Sequence, residues 1–518
     1  MSKAKQFRFE EEARTNLRDG IEQLAEVVSM TLGPRGRNVG LQASYGSPQI
    51  TSDGHSIALG IELKDPFLNM GAEMAKQVAS KIKEKSGDGT TTGIVLLRAL
   101  VQAGVKNIAS GANPTAIKRG MDKALEAVLK EIDQMATLVK SNADTRNIAT
   151  VSGNEEIGEK IAECFAKAGK SGVVTIEEGK GTETVIEMVE GMQFERGYVS
   201  SHMCTNAEKL LVEMTNPLIL ITDKKVNSAQ EILPILQHIA TTGTELLIVA
   251  DDIDGDALST LVMNKLRGTL KVAAVKAPGF GDRRKALLED LAILTGGQLI
   301  TEEKGMTLKE ATVDQLGQAQ QVVIGKEKTT IVGGKGSSKE IKARVAQLET
   351  ESKKAGSDYD REKLEERKAK LQGGVAVIKV GAPTESEMKK KKQMYEDSLS
   401  STRAALEEGI VPGGGVALLR ASRAIKMDDV GAKILLRACE APFKQIVFNT
   451  GYDSSLLLEE VLKGGKNIGF NAVTEKVEDL LKAGVIDPAK VVKNSLIYAV
   501  SVAGMVLLSE ALMANEED

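Results

Sequence analysis

Tryptophan is absent from this chain of 518 residues, and aromatic side chains make up only 3% of it. Recognition of single-stranded nucleic acid by stacking bases on rings therefore lacks its platform. Cysteine and histidine are as scarce, at 3 each. Cys164, Cys204 and Cys439 lie far apart, none sits in a CxxC pair, and three histidines cannot complete a zinc-finger pattern. The plain reading is buried or free thiols in a reducing compartment. Charge of one sign is also lacking. Lys and Arg total 68 against 72 Asp and Glu, a net charge of −4, which gives no electrostatic footprint for nucleic acid. The segment Met1 to Arg14 has no apolar stretch and carries Glu10, Glu11 and Glu12, which argues against a secretory signal and an Arg-rich transit peptide. No run approaches the roughly 20 apolar residues of a membrane span. The expectation is a cytoplasmic protein with neither a nucleic-acid nor a membrane partner.

What is present is enough apolar material, 42% of residues, to fill several cores. Length alone suggests about three domains. One short run organises the rest: Gly87-Asp88-Gly89-Thr90-Thr91-Thr92. It lies between a charged helical pattern, Met70 to Lys85, and an apolar one, Ile94 to Ile108. Glycines permit backbone conformations closed to other residues, and the threonines stand where a helix begins, with free amides able to face a phosphate. Asp88 would repel a bare phosphate, so the run makes chemical sense with a metal ion between the two. Spacing alone leaves an ordinary Gly-Asp turn capped by threonine equally open.

Along the chain, Leu17, Ile21, Leu24, Val28 and Leu32 recur at helix spacing over residues 8–32, ending at Gly33-Pro34. A small hairpin follows, Val39 to Leu41 and Ile50-Thr51 around a Gly46/Pro48 turn, then a second acidic turn at Ser52-Asp53-Gly54. Helices are expected over Met70 to Lys85, Gly93 to Ala109 and Pro114 to Met135. From about 190 to 300, buried strands at 218–221, 246–250 and 272–275 alternate with helices, the mark of an α/β layer. Residues 338–371 read as a charged helical hairpin broken at Gly356-Ser357-Asp358, its charges mostly solvated. After a strand, Val375 to Val380, a long helix runs from Glu385 to Glu408. Beyond Gly413-Gly414-Gly415 the pattern is helical again, at 417–425, 432–449, 454–462 and 489–512. The order helical, mixed, α/β, mixed, helical suggests a helical domain made from both chain ends, with an α/β domain inserted through a two-strand connector.

The motifs are more specific than the pattern. Thr31-Leu32-Gly33-Pro34-Arg35-Gly36-Arg37-Asn38, the Gly87–Thr92 run, Glu190-Gly191-Met192-Gln193-Phe194, Ala277-Pro278-Gly279-Phe280-Gly281-Asp282-Arg283-Arg284-Lys285 and Gly413-Gly414-Gly415 occur in that order. Together they resemble the group I, GroEL-type chaperonins, from about residue 5 to residue 512. The resemblance implies a multidomain α and α/β fold. Its parts would be an equatorial ATP-binding domain (1–135 and 409–518), an intermediate hinge domain (136–189 and 376–408) and an inserted α/β apical domain for client and lid (190–375). It further implies a homo-oligomer of stacked seven-membered rings. Such rings encapsulate unfolded polypeptides, with ATP, Mg2+ and K+ as cofactors and a GroES-type co-chaperonin as lid.

Residue by residue, the resemblance makes Thr31, Leu32, Gly33 and Pro34 the nucleotide-binding turn. Asp88, Gly89, Thr90, Thr91 and Thr92 become the phosphate loop, with Asp88 on the metal. Gly414 lies beside the nucleotide, Asn471, Ala472 and Val473 on the adenine side, and Asp487 at the ribose. Asp53 and Asp397 match the catalytic carboxylates, and Asp397 would reach the phosphate only if its helix swings in. Arg196 and Glu385 match an intersubunit ion pair. Client and lid contacts fall on Tyr198, His202, Met203, Leu233, Leu236, Leu258, Val262 and Met263, in a groove whose helices also carry Ile232 and Ile239. An apolar stripe of this kind is equally a packed core face.

Three departures stand out. The family usually carries lysine where this chain has Ser52, so a cation is missing beside Asp53. Either Arg35 or another residue compensates, or nucleotide affinity or turnover is reduced. Two aromatic positions of the family are His202 and Met203 here, which makes that edge more polar; His202 either adds pH dependence or is a tolerated surface residue. The chain ends at Asn515-Glu516-Glu517-Asp518 without a Gly-Met tail. These changes suggest a divergent paralogue, and they leave open a ring-forming or moonlighting protein with weak or no ATPase activity.

Overall fold

The computed structural model describes residues 4–42, 48–168, 173–179, 181–206, 209–355 and 357–515. Gly46 of the expected turn, Gly356 and the C-terminal Glu516 to Asp518 lie outside them. The chain divides into two compact units, Met1–Glu163 with Lys389–Asp518, and Cys164–Met388.

The first unit is helical. Its N-terminal part comprises α1 (Glu10–Ser29), α2 (Gly54–Gly60), α3 (Pro66–Ser86), α4 (Thr90–Ala109), α5 (Pro114–Met135), α6 (Asn142–Ser152) and the start of α7 (Glu155–Ala168). The stripe expected on α1 is buried: Leu17, Ile21, Leu24 and Val28 are all 1% exposed or less. Where α1 crosses α3 the backbones touch. A Cβ on Gly20 would stand 1.9 Å from the Leu68 carbonyl oxygen, and one on Gly71 2.2 Å from that of Leu17. Only glycine fits at either place.

The second unit is built on strands. Lys271–Lys276, Glu245–Ala250 and Leu218–Thr222 run parallel, with Leu247 opposite both Ile219 and Ala273. Gly317–Ile324, Thr329–Gly334 and Gly191–Phe194 extend the sheet antiparallel. Its helices are α8 (Leu233–Thr242), α9 (Gly255–Leu266), α10 (Gly281–Thr295), α11 (Ser338–Lys354) and α12 (Asp358–Gly373). The parallel strands are buried along their apolar stretches, which is why they read as unbroken apolar runs rather than alternating ones. The connector expected as two strands has three: Val375–Val380 pairs parallel with Val173–Glu178 and antiparallel with Val185–Val189. The charged hairpin α11–α12 is less solvated than expected. Asp290 of α10 is 0% exposed and binds two of its arginines, Arg344 Nε at 2.8 Å and Arg367 Nε at 2.7 Å.

The chain then returns to the first unit through α13 (Glu385–Glu408), followed by α14 (Val416–Ala424), α15 (Val430–Ala438), α16 (Ala441–Thr450), α17 (Ser454–Lys463) and α18 (Ala489–Leu508). The single helix expected at 432–449 is two, because the ring of Pro442 cannot sit inside a helix but suits a first turn. The C-terminal pattern ends as a strand: Ala511–Asn515 pairs antiparallel with Lys5–Phe9, joining the two ends of the chain. Core residues of α4 and α5, such as Leu97, Leu100, Ile117 and Met121, share one apolar cluster with Leu435 of α15 and Leu496, Ala499 and Ala503 of α18. By length and composition α18 is apolar enough to cross a membrane, contrary to the expectation that no run is. It is the central core helix of this unit, with Leu496, Ala499, Ala503, Val506 and Leu507 at 0% exposure.

Candidate functional site

The loop between α3 and α4 is fixed by two glycines in the left-handed region, Gly87 at φ 73° and Gly89 at φ 91°. Neither tolerates a side chain. A Cβ on Gly87 would lie 2.1 Å from Ser400 Cβ of α13, and one on Gly89 would lie 2.6 Å from Ser495 Oγ of α18. The Gly87 amide donates to the Lys83 carbonyl at 3.0 Å and so closes α3. Gly89 is the N-cap of α4 and supplies no side chain to it, so the first-turn amides at Thr90, Thr91 and Thr92 have no cap. That is the donor set an anion needs.

Asp88 stands in the loop. Its carboxylate accepts from the Gly89 amide at 2.6 Å and from Ser152 Oγ at 2.7 Å. Ser152 closes α6, a helix that sequence periodicity missed because its apolar positions are few. Asp53 is the N-cap of α2, accepting from the Ser56 amide at 2.9 Å and Ser56 Oγ at 2.6 Å. The Asp53 turn abuts the loop: a Cβ on Gly54 would be 2.1 Å from Thr91 Oγ1. Thr91 Oγ1 is in turn 3.5 Å from Thr31 Oγ1. The turn at Thr31 to Pro34 is pinned by Asn449, whose Nδ2 donates to the carbonyls of Ser29 at 3.0 Å and Leu32 at 2.8 Å. Three turns distant in sequence thus meet.

Asp397, on α13, approaches from the opposite side. Its Oδ1 contacts Lys83 Nζ and accepts from Gln393 Nε2 at 2.8 Å. Here α13 packs against the loop, with Ser400 against Gly87. Burial raises the Asp397 carboxyl to about 7; Lys83 pulls against that rise, while Asp53 and Asp88 add to it. Burial would also raise Asp53, but the Lys83 charge and the Ser56 hydrogen bonds outweigh it and hold this carboxyl below the usual range. Lys83 itself is disfavoured as a cation by burial, yet Asp397, Asp53 and Asp88 together lift its pKa above the ordinary lysine value. The environment therefore separates the two candidate carboxylates: one fully ionised, one poised near neutrality.

Gly414 (φ 63°) and Gly415 (φ 77°) open the second wall. The strand Ile410–Pro412 pairs with Ile486–Pro488, setting Val411 opposite Asp487. Burial, with Asp88 as a second cause, pushes the Asp487 carboxyl up to about 7. A Cβ on Gly414 would come 3.6 Å from the Phe470 carbonyl oxygen, on the hairpin Ile468–Asn471 and Lys476–Asp479. Asn471 holds that hairpin: its Oδ1 accepts from the Val473 amide at 3.0 Å and its Nδ2 donates to Glu478 at 2.7 Å. Ala472 is core, whereas Val473 is 65% exposed. Arg35 does not replace the missing cation, because its guanidinium binds Glu475 at 3.0 Å. Lys83 is the residue that sequence reasoning missed. It sits in a run of alternating charge, Lys83-Glu84-Lys85, that looks like any solvated helix end. The available signal was its position one helical turn before Gly87.

The second unit carries the other candidates, and two of them are corrected. Met203 is 0% exposed and Leu236 is 6% exposed. The short turn Ser201–Met203 directs its last side chain inward, and Ile232, Ile235, Leu236 and Ile239 at helical spacing form a core face. Neither Met203 nor Leu236 offers a contact surface. Leu233 at 39% and Met263 at 48% do, with Leu258, Val262 and Tyr198 half-buried and His202 exposed. Arg196 donates through Nε to the Ala277 carbonyl at 3.3 Å and lies 5.2 Å from the Phe280 ring centre; Glu385 is exposed in the first turn of α13. Cys164 and Cys439 are buried, and burial pushes the Cys439 thiol up to about 12.

A helical unit assembled from both chain ends, an inserted α/β unit and a glycine-hinged anion loop flanked by carboxylates agree with what comparison with known proteins finds. Residues 24–517 match the TCP-1/cpn60 chaperonin family, and the chain belongs to that family. It is 62% identical over 526 aligned positions to "Chaperonin GroEL 3" of Protochlamydia amoebophila (strain UWE25), an alignment covering 100% of this chain and 98% of that protein. Within the family the chain is a group I chaperonin of the GroEL type.

Proposed function

We propose that this chaperonin binds and hydrolyses ATP at the Gly87–Thr92 loop and uses that cycle to capture and encapsulate non-native polypeptides. The observation that carries the reading is the convergence of Asp53, Asp88 and Asp397 beside an uncapped helix N-terminus. The residues present fit a magnesium nucleotide. The amides at Thr90, Thr91 and Thr92 receive phosphate oxygens, and the turn at Thr31 to Pro34 with Gly414 borders the nucleoside. Among the described residues no three His, Cys, Asp or Glu side chains form a metal cage. Asp88 would be the carboxylate that holds the Mg2+ of a bound nucleotide. When bound, Mg2+ neutralises phosphate charge and orients the terminal group.

Within the chain, Asp397 orients the attacking water and accepts its proton, a role that its pKa near 7 matches. Asp53, held ionised, orients the loop through the α2 N-terminus. Because α13 carries Asp397, hydrolysis reports on the position of that helix, and through it on the arrangement of the chain beyond Lys389. Asp487 lies at the ribose, and K+ would be the further cofactor that the family resemblance implies.

The wider reading follows the family: stacked seven-membered rings, three domains with boundaries near 135, 190, 375 and 409, a GroES-type lid and a cytoplasmic location. Clients and lid meet the exposed Leu233 and Met263 with Leu258, Val262, Tyr198 and His202, and Arg196 pairs with Glu385 between subunits. The test is ATP turnover by the purified protein with and without a GroES-type partner, alongside recovery of a denatured client. Turnover without client recovery or lid binding would overturn the folding role. Absence of turnover in Mg2+ and K+ would leave a ring-forming protein that has lost its ATPase.

A further inference from the structure

The ATP site holds a cation that none of its motifs accounts for. Lys83 lies in the last turn of α3, where its carbonyl accepts the Gly87 amide at 3.0 Å, so its backbone is part of the loop's own hinge. Its ammonium contacts Asp397 of α13 and feels the charges of Asp53 and Asp88. The side chain is 23% exposed, so one face remains open to solvent and to a ligand. The groups facing it from neighbouring elements are all carboxylates, apart from His55 beside Asp53 and the Gln393 amide that shares Asp397. Three carboxylates and one ammonium leave an excess of negative charge where a triphosphate has to enter. A lysine, a compact point charge on a flexible four-carbon stem, can change partner without moving its helix.

We propose that Lys83 is the fixed cation of the phosphate site, pairing with Asp397 and partly offsetting the charges of Asp53 and Asp88 before nucleotide binds, and taking the terminal phosphate when nucleotide is held. This rests on the ATP reading above and deepens it: Lys83 distinguishes ATP from ADP, and its contact with Asp397 ties α13 to that distinction. It also answers Ser52, because the positive charge that a lysine there would supply next to Asp53 is delivered from α3 instead. A lysine that merely fastened α13 to α3 would explain the Asp397 contact but would have no part in telling a third phosphate from none.

The test measures equilibrium binding of ADP and of a non-hydrolysable ATP analogue in Mg2+, together with amide exchange along α13. Parent protein, Lys83→Met and the double variant Ser52→Lys/Lys83→Met are compared. Lys83→Met should lose roughly 10- to 100-fold in affinity for the ATP analogue, the range of one charge-assisted hydrogen bond, and no more than about threefold for ADP. The difference in α13 exchange between the two nucleotides should disappear with it, and Ser52→Lys should restore at least part of the ATP preference. Equal losses for both nucleotides, or no loss, overturn the proposal. So does an unchanged ATP preference accompanied by a loosened α13, the signature of a mere strut. Should the Met variant not fold, Lys83→Gln, polar and of similar length, carries the same expectations. If the parent binds neither nucleotide, the ATP-site reading itself falls; if the parent binds both and Lys83→Met changes nothing, only this inference does.

Discussion

Replacing Asp397 with asparagine preserves the shape of the side chain and its contact with Gln393 while removing the ability to accept a proton. The structure sets the size of the effect. With its carboxyl at about 7, Asp397 is half ionised at pH 7, about a tenth ionised at pH 6 and about nine tenths at pH 8. The relevant quantity is kcat/KM for ATP, which reports groups titrating in the free enzyme. It should rise about tenfold from pH 6 to pH 8 in the parent. Asp397→Asn should reduce turnover by roughly 100- to 10,000-fold, the usual contribution of a positioned general base. It should also abolish the dependence on Asp397 ionisation. Titration of the substrate phosphates is common to both proteins, so the ratio of their profiles isolates the side chain. ATP binding should persist, because the loop amides, Asp88 and Lys83 remain; Asp397→Ala should behave alike. The reasoning is refuted if the asparagine variant keeps more than about a tenth of parental turnover, or if the ratio of the two profiles is flat.

Other consequences can be checked separately. Asp487 has a folded-state pKa near 7 against an ordinary value of 3.8, so its contribution to stability is present below about pH 4 and lost as pH rises through 7. Asp487→Asn should therefore raise the unfolding temperature of nucleotide-free protein at pH 8 but not at pH 4; an equal shift at both would show that the cause is not ionisation. Gly87→Ala places a Cβ 2.1 Å from Ser400 Cβ at φ 73°, which should loosen α13 and sharply reduce ATP turnover. Adding Ser400→Gly should recover part of the loss; no recovery would mean that backbone strain alone is responsible. Asp290→Ala leaves the Arg344 and Arg367 charges poorly compensated, with a cost of about 3–5 kcal/mol that denaturant unfolding or amide exchange of α11 and α12 would detect. Parental protection in those helices would contradict it.

Long helices with an apolar stripe were legible residue by residue. Pro114–Met135 and Glu385–Glu408 begin and end where their proline, acidic first turn and closing signals place them. The parallel strands were legible for the opposite reason, as runs too uniformly apolar to face water. What stayed hidden depended on contacts made across the chain. The pairing of Ile410–Pro412 with Ile486–Pro488, which presents Asp487, involves three residues on each side, too few for a periodicity. Met203 and Leu236 were expected at the surface only through the family resemblance, since an apolar stripe carries no mark of which side is covered. At the site, the glycines and carboxylates were legible from their motifs, since backbone geometry and metal chemistry restrict those positions to few residue types. Lys83 was not, because what distinguishes it is Asp397, which lies 314 residues away in sequence.

The division of the helical unit between the two ends of the chain has a consequence for its synthesis. The segment Cys164–Met388 is continuous and is complete on the ribosome while Lys389–Asp518 is still to be made. At about 5–20 residues per second, that remainder takes roughly 6 to 26 seconds. During the interval α4 and α5 exist without α15 and α18, and the apolar faces around Leu97, Leu100, Ile117 and Met121 have nothing to cover them. The newborn chaperonin is then itself a partly folded chain with exposed apolar helices, a candidate client for finished copies of its own kind. The Gly87–Thr92 loop gains its packing against Ser495 only when α18 arrives, so the proposed nucleotide site takes shape late in synthesis.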